Sequence, residues 1–287
     1  MQLLMLFFFF LAMIVVSGIV TYVVSRFVSL NSPAATLVVN SLTQVLSFAL
    51  PVVLFVRRWH RDGWREYFRL DFGRRRWWLA LAGVGVLLLF VPCIDWLTTW
   101  NDGWHWSGPW ETVERKLRSI GEQSQEMVTT LMREGNPPLN LFGLALVPAI
   151  CEELFFRAGV QNLLQRAFGR CRGLSASAGL HAAVWVTAAI FSLAHGEVFA
   201  FAPRFLLGAL LGYLYVGGGS LVVNMMAHFV NNAIVVIVYW LSVSGMADID
   251  PEASMQLPWS ITLAATVAGV CAFWFVFGKK MRNQQRP

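Results

Sequence analysis

Three short stretches of the sequence place polar or ionisable side chains inside long apolar segments. At membrane depth a charged side chain costs about 3 kcal/mol or more, so such residues are rare and usually face the interior of a helix bundle. They are therefore the first candidates for chemistry. These residues are Glu152, Glu153 and Arg157 in the first stretch, His195 in the second, and His228 and Asn232 in the third.

Glu152 and Glu153 are expected to have different surroundings, because neighbouring side chains point about 100° apart around a helix. Glu153 and Arg157 are separated by four residues and can form an ion pair on one helical face. Glu152 then remains as a carboxylate that could accept a proton from water. In the alternative interpretation, all three residues form a structural ion cluster that holds helices together.

The two histidines differ in their sequence context. His195 follows Phe191 near the end of an apolar segment, where a single histidine is more often a satisfied core residue than a catalyst. His228 and Asn232 are four residues apart, so they share one helical face and could both donate hydrogen bonds to a developing oxyanion. The alternative role for this pair is hydrogen bonding between helices, which membrane proteins also use.

Together these residues predict hydrolysis of an amide bond by an activated water molecule, because a proton acceptor and oxyanion donors are both present. No cofactor is expected. Zinc bound by Glu152, His195 and His228 is a weaker alternative, since the sequence has no HExxH motif. Cys151 is expected to be a packing residue, because no cation on its helical face would activate the thiol.

The three motifs, Glu152-Glu153-x-x-x-Arg157, Phe191-x-x-x-His195 and His228-x-x-x-Asn232, follow one another on successive apolar segments. In this order they resemble the CAAX protease and bacteriocin-processing family (CPBP, also called Abi) of intramembrane glutamate proteases. The resemblance covers about residues 140–245.

It implies a metal-independent endopeptidase in which Glu152 and His195 activate water and His228 and Asn232 form the oxyanion hole. Glu153 and Arg157 would support this site. The implied substrate is a peptide or a lipidated protein at the membrane, such as a prenylated C-terminal peptide. Two other functions stay open: a non-catalytic scaffold or bacteriocin-immunity factor of the same fold, and a proton-coupled carrier.

The composition indicates that the whole chain is a membrane protein. Of its 287 residues, 57% are hydrophobic and only 13% are charged, whereas a soluble domain carries about 25% charged residues. The net charge of +6 sits in short loops between apolar runs, which argues against nucleic-acid binding. The four cysteines show no CxxC spacing, so neither a disulfide scaffold nor a zinc knuckle is expected.

The elements that must position the site are about eight transmembrane helices, since a spanning helix needs about 20 mostly apolar residues. We therefore predict an all-α, polytopic helix bundle that forms a single membrane domain over residues 1–287. A short polar helix is expected around Glu111–Glu134, close helix packing at Gly208 and Gly212, and a tight turn at Gly217–Gly219. The predicted spans are 3–25, 35–56, 77–99, 140–165, 179–198, 202–217, 220–242 and 258–278.

Most of the 22 lysines and arginines fall on one side of this alternation, which predicts that both termini are cytoplasmic. A bacterial inner (plasma) membrane is the expected location. Arg57–Trp78 mixes arginine with aromatic residues and is expected to lie against anionic lipids. The basic residues on this side are Arg57, Arg58, Arg61, Arg65, Arg69, Arg74, Arg75, Arg76, Arg166, Arg170, Arg172, Lys279, Lys280, Arg282 and Arg286.

The depth of His195 is in tension with its implied role. The predicted fifth span places His195 near the outer end of a helix, whereas Glu152 and Asn232 fall close to the middle of theirs. For these residues to meet, the fifth span must run longer or tilt, or a cavity must reach down to Glu152.

Overall fold

The computed structural model of the protein describes residues 1–27, 32–71, 73–251 and 253–284, and over these residues the chain is all-α without a β-strand. Eight of the helices in this part of the chain are long and apolar enough to cross a membrane, which confirms the prediction of an all-α polytopic bundle. The long helices are Gln2–Phe27 (α1), Pro33–Trp59 (α2), Arg74–Asp102 (α3), Glu111–Glu134 (α4), Pro137–Phe168 (α5), Ala176–Leu193 (α6), Phe201–Gly218 (α7), Leu221–Val243 (α8) and Trp259–Gln284 (α9).

Helix α5, which carries the two glutamates, is the most enclosed of the spans. In its most apolar stretch 56% of the residues are buried, compared with 17% in α1 and in α9. Phe155 and Phe156 of α5 pack in one core cluster with Leu6 of α1 and Phe55 of α2. Polar residues on α5 are therefore held inside the bundle.

Three stretches of π-helix interrupt the spans. One lies in α2 at Val45–Ala49, and two lie in α5 at Leu141–Leu146 and Glu153–Gln161. A π-helical turn contains more residues than an α-helical turn and is frequently found at functional sites. In α5 the change from α- to π-helix falls between Glu152 and Glu153.

Helix α7 packs closely against α5 and α6 because it presents glycines to them. A Cβ atom on Gly208 would lie 3.0 Å from the Phe191 ring and 3.2 Å from the Ala188 backbone. A Cβ atom on Gly212 would lie 2.9 Å from Val184 and 3.1 Å from the side-chain oxygen of Gln161. The predicted close packing at these two glycines is confirmed.

One end of the bundle is rich in arginine and is capped by the first turn of α3 and the residues just before it. Arg76 donates hydrogen bonds to the carbonyl oxygens of Gly218 and Gly219, at 3.0 and 2.8 Å, and forms an ion pair with Asp71. The Ser220 hydroxyl donates to the carbonyl oxygen of Asp71. Gly219 has φ of +62°, as the tight turn between α7 and α8 requires. We call this the arginine-rich end.

The structure does not describe all of the lysines and arginines whose distribution predicts the orientation of the chain. Arg286 and the side chains of Arg74, Arg75, Lys280 and Arg282 lie outside the described residues. The assignment of the arginine-rich end to the cytoplasm stays a prediction.

The opposite end carries α4, which covers the ends of other helices; we call it the α4 end. Glu114 of α4 is buried and accepts hydrogen bonds from the Arg118 side chain and from the backbone N–H of Trp106. Arg118 also pairs with Asp102 at the end of α3, and its guanidinium lies 3.9 Å from the centre of the Phe199 ring. The predicted polar helix over Glu111–Glu134 is therefore confirmed, and it is fixed to its neighbours.

Most predicted span boundaries differ from the structure by only a few residues, but the fifth predicted span was too long. Helix α6 ends at Leu193, not at residue 198. Gly196 adopts φ of +72°, a left-handed conformation that glycine accepts at little cost, and the chain turns there. His195 consequently lies in a turn beyond the helix.

Candidate functional site: a buried Glu–Glu–His cluster

Glu152 and Glu153 lie near the middle of α5 and are both buried, with 7% and 0% of their surface exposed. They meet the same partner, His228 of α8. The His228 Nδ1 atom lies 2.9 Å from Glu153 Oε1, and Nε2 lies 3.9 Å from Glu152 Oε2. The two carboxylates differ in burial, as expected, but they share His228 as a partner, which was not expected. Because an imidazole has nitrogens on two edges, it can meet both carboxylates although they point in different directions from α5.

The contact with Glu153 determines which proton neutral His228 carries. A carboxylate is only an acceptor, so Nδ1 must donate to Glu153. A neutral ring then has a lone pair at Nε2, on the side facing Glu152. His228 can donate a second hydrogen bond from Nε2 only when both ring nitrogens are protonated.

Glu153 and Arg157 form the ion pair that their spacing predicts, with Arg157 Nε 3.1 Å from Glu153 Oε2 and both side chains fully buried. Arg157 also donates to the Gln161 side-chain oxygen at 3.3 Å, and Gln161 donates to the Gly212 carbonyl oxygen at 3.1 Å. Buried charges require partners of this kind. The row Glu153, Arg157 and Gln161 thus joins α5 to α7.

Asn224 is a further member of the cluster. It lies one helical turn before His228 on α8 and is fully buried, and its amide nitrogen donates a hydrogen bond to Glu153 Oε2. Its own Oδ1 atom is buried and has no hydrogen-bond partner among the described residues. Glu153 therefore accepts hydrogen bonds from Asn224, His228 and Arg157.

His195 is exposed at the α4 end of the bundle, just beyond α6. Its Nδ1 atom lies 2.8 Å from the carbonyl oxygen of Phe191, which leaves Nε2 for another partner. No hydrogen bond or ion pair within the described part of the chain joins His195 to Glu152. The Phe191 ring contacts the His195 ring at 4.9 Å and the His228 ring at 6.2 Å between centroids, so one aromatic side chain touches both imidazoles.

Asn232 is half-buried on α8, one turn beyond His228. Its side-chain oxygen accepts a hydrogen bond from the Asn231 amide at 3.2 Å, which leaves its own NH₂ group as a donor. Asn232 and His228 are not bonded to each other. Asn231 also lines an apolar groove between α3 and α8, so it connects that groove to Asn232.

The sequence interpretation missed Asn224, Asn231 and Gln161. A usable signal was present for two of them, since Asn224 continues the four-residue spacing of His228 and Asn232, and Gln161 continues that of Glu153 and Arg157. Asn231 is part of the third motif but falls on a different face of the helix. No spacing in the sequence indicates the hydrogen bond between Asn231 and Asn232.

The geometry also bears on the zinc alternative and on Cys151. Across the described ranges, no group of three or more His, Cys, Asp and Glu side chains is arranged as metal ligands would be. Cys151 is buried beside Glu152. Its surroundings fit the packing role expected from the sequence.

Comparison with known proteins supports the resemblance seen in the three motifs. The sequence model of the family described as Type II CAAX prenyl endopeptidase Rce1-like matches residues 134–234, a segment that contains every candidate site residue from Glu152 to Asn232. No protein of curated function and no solved structure matches the chain. The chain is therefore an integral multi-pass membrane protein whose residues 134–234 match the sequence model of the Rce1-like family of CAAX endopeptidases.

Proposed function

We propose that this protein is an intramembrane endopeptidase of the glutamate type, which cleaves a membrane-associated peptide or lipidated protein with a water molecule activated by Glu152. The observation that carries the proposal is the buried contact of Glu152 and Glu153 with the two nitrogens of His228, at 3.9 and 2.9 Å. The match to the Rce1-like family model supports the endopeptidase activity, and the cluster supports the mechanism.

In the proposed reaction, Glu152 takes a proton from water while the water oxygen attacks the carbonyl carbon of the scissile peptide bond. The carbonyl oxygen becomes an oxyanion in the tetrahedral intermediate. Glu152 then gives its proton to the amide nitrogen as the C–N bond breaks, which releases an amine and a carboxylic acid. A general base and acid of this kind typically contributes about 10²–10⁴-fold to the rate.

His228 and Asn232 are proposed to stabilise the oxyanion. The Asn232 amide group is available to donate, because its oxygen already accepts from Asn231. His228 can donate from Nε2 when it is protonated on both nitrogens, and Glu153 then neutralises the positive charge. Glu153 is in turn held by Arg157 and Asn224, so these three residues position His228 and do not touch the substrate.

His195 is proposed to assist Glu152 after the substrate has bound. Its Nε2 atom is available because Nδ1 is occupied by the Phe191 carbonyl oxygen. Hydrogen bonds of catalytic groups are often long before substrate binds and shorten in the complex. The contact of Phe191 with both imidazoles supports a shared site for His195 and His228.

The decisive experiment replaces Glu152 by glutamine, which keeps the shape of the side chain but cannot act as a base. We expect cleavage of a fluorogenic peptide with a farnesylated cysteine to fall by about 10²–10⁴-fold. The amount of monodisperse protein in detergent should stay unchanged. Glu111→Gln, at an exposed carboxylate in the first turn of α4, is the matched control and should keep its activity.

Unchanged cleavage by Glu152→Gln would reject the proposed mechanism. Cleavage that is lost when zinc is chelated, and restored when zinc is added, would favour the metal-dependent alternative. A wild-type protein that cleaves no membrane peptide but still binds one would favour the non-catalytic scaffold or immunity factor.

A further inference from the structure

The residues of the proposed site are enclosed to different degrees along the bundle. Glu153 and Arg157 are completely buried, and Glu152 and His228 are 7% and 2% exposed. His195 is exposed, and it lies at the α4 end. The site therefore becomes more accessible towards the α4 end.

Towards the arginine-rich end the same site is sealed by packed side chains. Arg157 and Gln161 follow Glu153 along α5, and Tyr215 and Leu221 lie on α7 and α8; all four are fully buried. Beyond them, the turn between α7 and α8 is held by its hydrogen bonds to Arg76 and to the backbone of Asp71. A peptide coming from this end would have to displace both layers.

Two cavities lie on the opposite side of the site. A polar cleft of about 350 Å³ separates α4 from the turn that follows His195, and Asp102, Arg118, Glu122, Gln125 and Glu197 are among the residues that line it. An apolar groove of about 320 Å³ between α3 and α8 begins at Ala227 and Asn231, beside His228, and reaches Tyr239 and Met255 at the α4 end.

The turn that follows His195 and borders the cleft is fixed in place. Asn101 of α3 is fully buried, donates to the Val198 carbonyl oxygen and accepts from the Ala202 backbone N–H at 2.7 Å. Glu197, two residues after His195, pairs with Arg204 of α7. One wall of the cleft is thus a fixed turn that begins just after His195.

We infer that the substrate reaches the buried site from the α4 end of the bundle, with its polar part in the cleft beside His195. This inference rests on the proposed function. The excess of arginine at the arginine-rich end predicts that this end is cytoplasmic. The scissile bond is then presented from the non-cytoplasmic side, and the substrate class is a membrane-anchored peptide whose polar segment lies outside the cytoplasm. A prenylated tail in the cytoplasm would approach the sealed end.

The direction of access can be tested by blocking each end with a bulky maleimide polymer. In full-length protein with Cys93, Cys171 and Cys271 replaced by alanine and the buried Cys151 retained, a single cysteine is introduced as Glu122→Cys in the cleft. Matched controls are Lys116→Cys, exposed on α4 outside the cleft lining, and Arg65→Cys at the arginine-rich end. Cleavage of the farnesylated fluorogenic peptide is measured in detergent before and after labelling.

We expect labelling of the Glu122→Cys protein to remove most of its activity and labelling of both controls to leave activity unchanged. Loss of activity on labelling the Arg65→Cys protein, or full activity in the labelled Glu122→Cys protein, would overturn the inference. The effect of labelling is read as the ratio of labelled to unlabelled activity of the same protein, so failure here is distinct from failure of the proposed mechanism, which Glu152→Gln tests.

The side of the membrane is tested in intact cells with a membrane-impermeant maleimide. The Glu122→Cys protein should be labelled from outside, and the Arg65→Cys protein should be labelled only after the cells are permeabilised. Any other labelling pattern would overturn presentation from the non-cytoplasmic side.

Discussion

Glu153 is the residue on which the buried polar side chains of the site converge. Its Oε1 atom accepts from His228, and its Oε2 atom accepts from Arg157 and Asn224. A buried carboxylate is tolerated only when charge and hydrogen bonds compensate for the lost water, and this one has both. The consequence at the scale of single residues is that Glu153 fixes the orientation of His228.

We expect Asn224→Ala to impair catalysis although Asn224 does not touch the substrate. The substitution removes one donor from Glu153, and a lost hydrogen bond to a buried group costs about 1–3 kcal/mol. The activity should fall mainly through kcat, since the position of His228 becomes less defined. Peptide cleavage and thermal unfolding in detergent measure the two effects.

Thr187→Val serves as the control for Asn224→Ala. Thr187 is also fully buried, but its hydroxyl oxygen has no hydrogen-bond partner among the described residues, so replacing it with a methyl group should keep or slightly raise stability. Equal loss of activity in both variants would show that Asn224 has no special role in positioning His228.

Spacing within one helix predicted the pair of Glu153 and Arg157, because residues four apart in a helix always share a face. The contact between Glu153 and His228 could not be predicted in this way. It joins residues 75 positions apart on two helices, and their relative rotation depends on packing across the whole bundle. The depth of His195 was unpredictable for a related reason, as hydropathy does not mark where an apolar helix ends.

At the scale of elements, the contact of α5 with α7 depends on Gly212. A Cβ atom there would lie 2.9 Å from Val184 Cγ1, 3.1 Å from Gln161 Oε1 and 3.4 Å from the Arg157 guanidinium. Since these neighbours are buried and packed, they have little room to move. The glycine thus allows the polar row of α5 to reach the backbone of α7.

We therefore expect Gly212→Ala to lower the free energy of unfolding by about 1–3 kcal/mol, the usual cost of overpacking a core. Activity should fall as well, because Arg157 and Gln161 must shift. The measurements are thermal unfolding in detergent and peptide cleavage.

Gly85→Ala in α3 is the matched control for Gly212→Ala. No atom lies within 4 Å of a Cβ atom built there, so the alanine should stabilise the helix by about 0.5–1 kcal/mol. A Gly212→Ala protein as stable and active as Gly85→Ala would contradict the close packing of α5 and α7.

The eight spans were predictable because length and hydropathy are properties of each segment by itself. The change from α- to π-helix in α5 was not predictable. It depends on which carbonyl oxygen each N–H bonds to, and composition does not determine that pattern. The same holds for the end of α6 at Leu193, where Gly196 gave the only local signal.

At the scale of the whole molecule, the long connection between α3 and α5 is fixed by a cluster around Glu114. A hydrogen bond from Arg118 and one from the backbone N–H of Trp106 lower the pKa of Glu114 from 4.5 to about 2, against the opposing effect of burial. The ionised carboxylate thus favours the folded connection. Because the folded pKa is the lower one, this stabilisation is present above about pH 4.5 and is lost as the pH falls towards 2.

We expect acid to loosen this connection in the wild-type protein, which tryptophan fluorescence can follow because Trp104, Trp106 and Trp110 lie in it. Glu114→Gln should lower thermal stability above about pH 4.5 and should remove the change between pH 4.5 and 2. Glu111→Gln, at an exposed position in the first turn of α4, should behave like wild type. An unchanged acid transition in Glu114→Gln would assign the effect to another group.

The π-helical stretch Glu153–Gln161 gives α5 a tolerance in length that its α-helical parts do not have. Its hydrogen bonds span five residues instead of four, so removing one residue would let the stretch close into an ordinary α-helix. The residues beyond the stretch would keep their facing, because the wider turn already holds the extra residue. A deletion in an α-helical part of a span has no extra residue to absorb it and would rotate every later residue by about 100°.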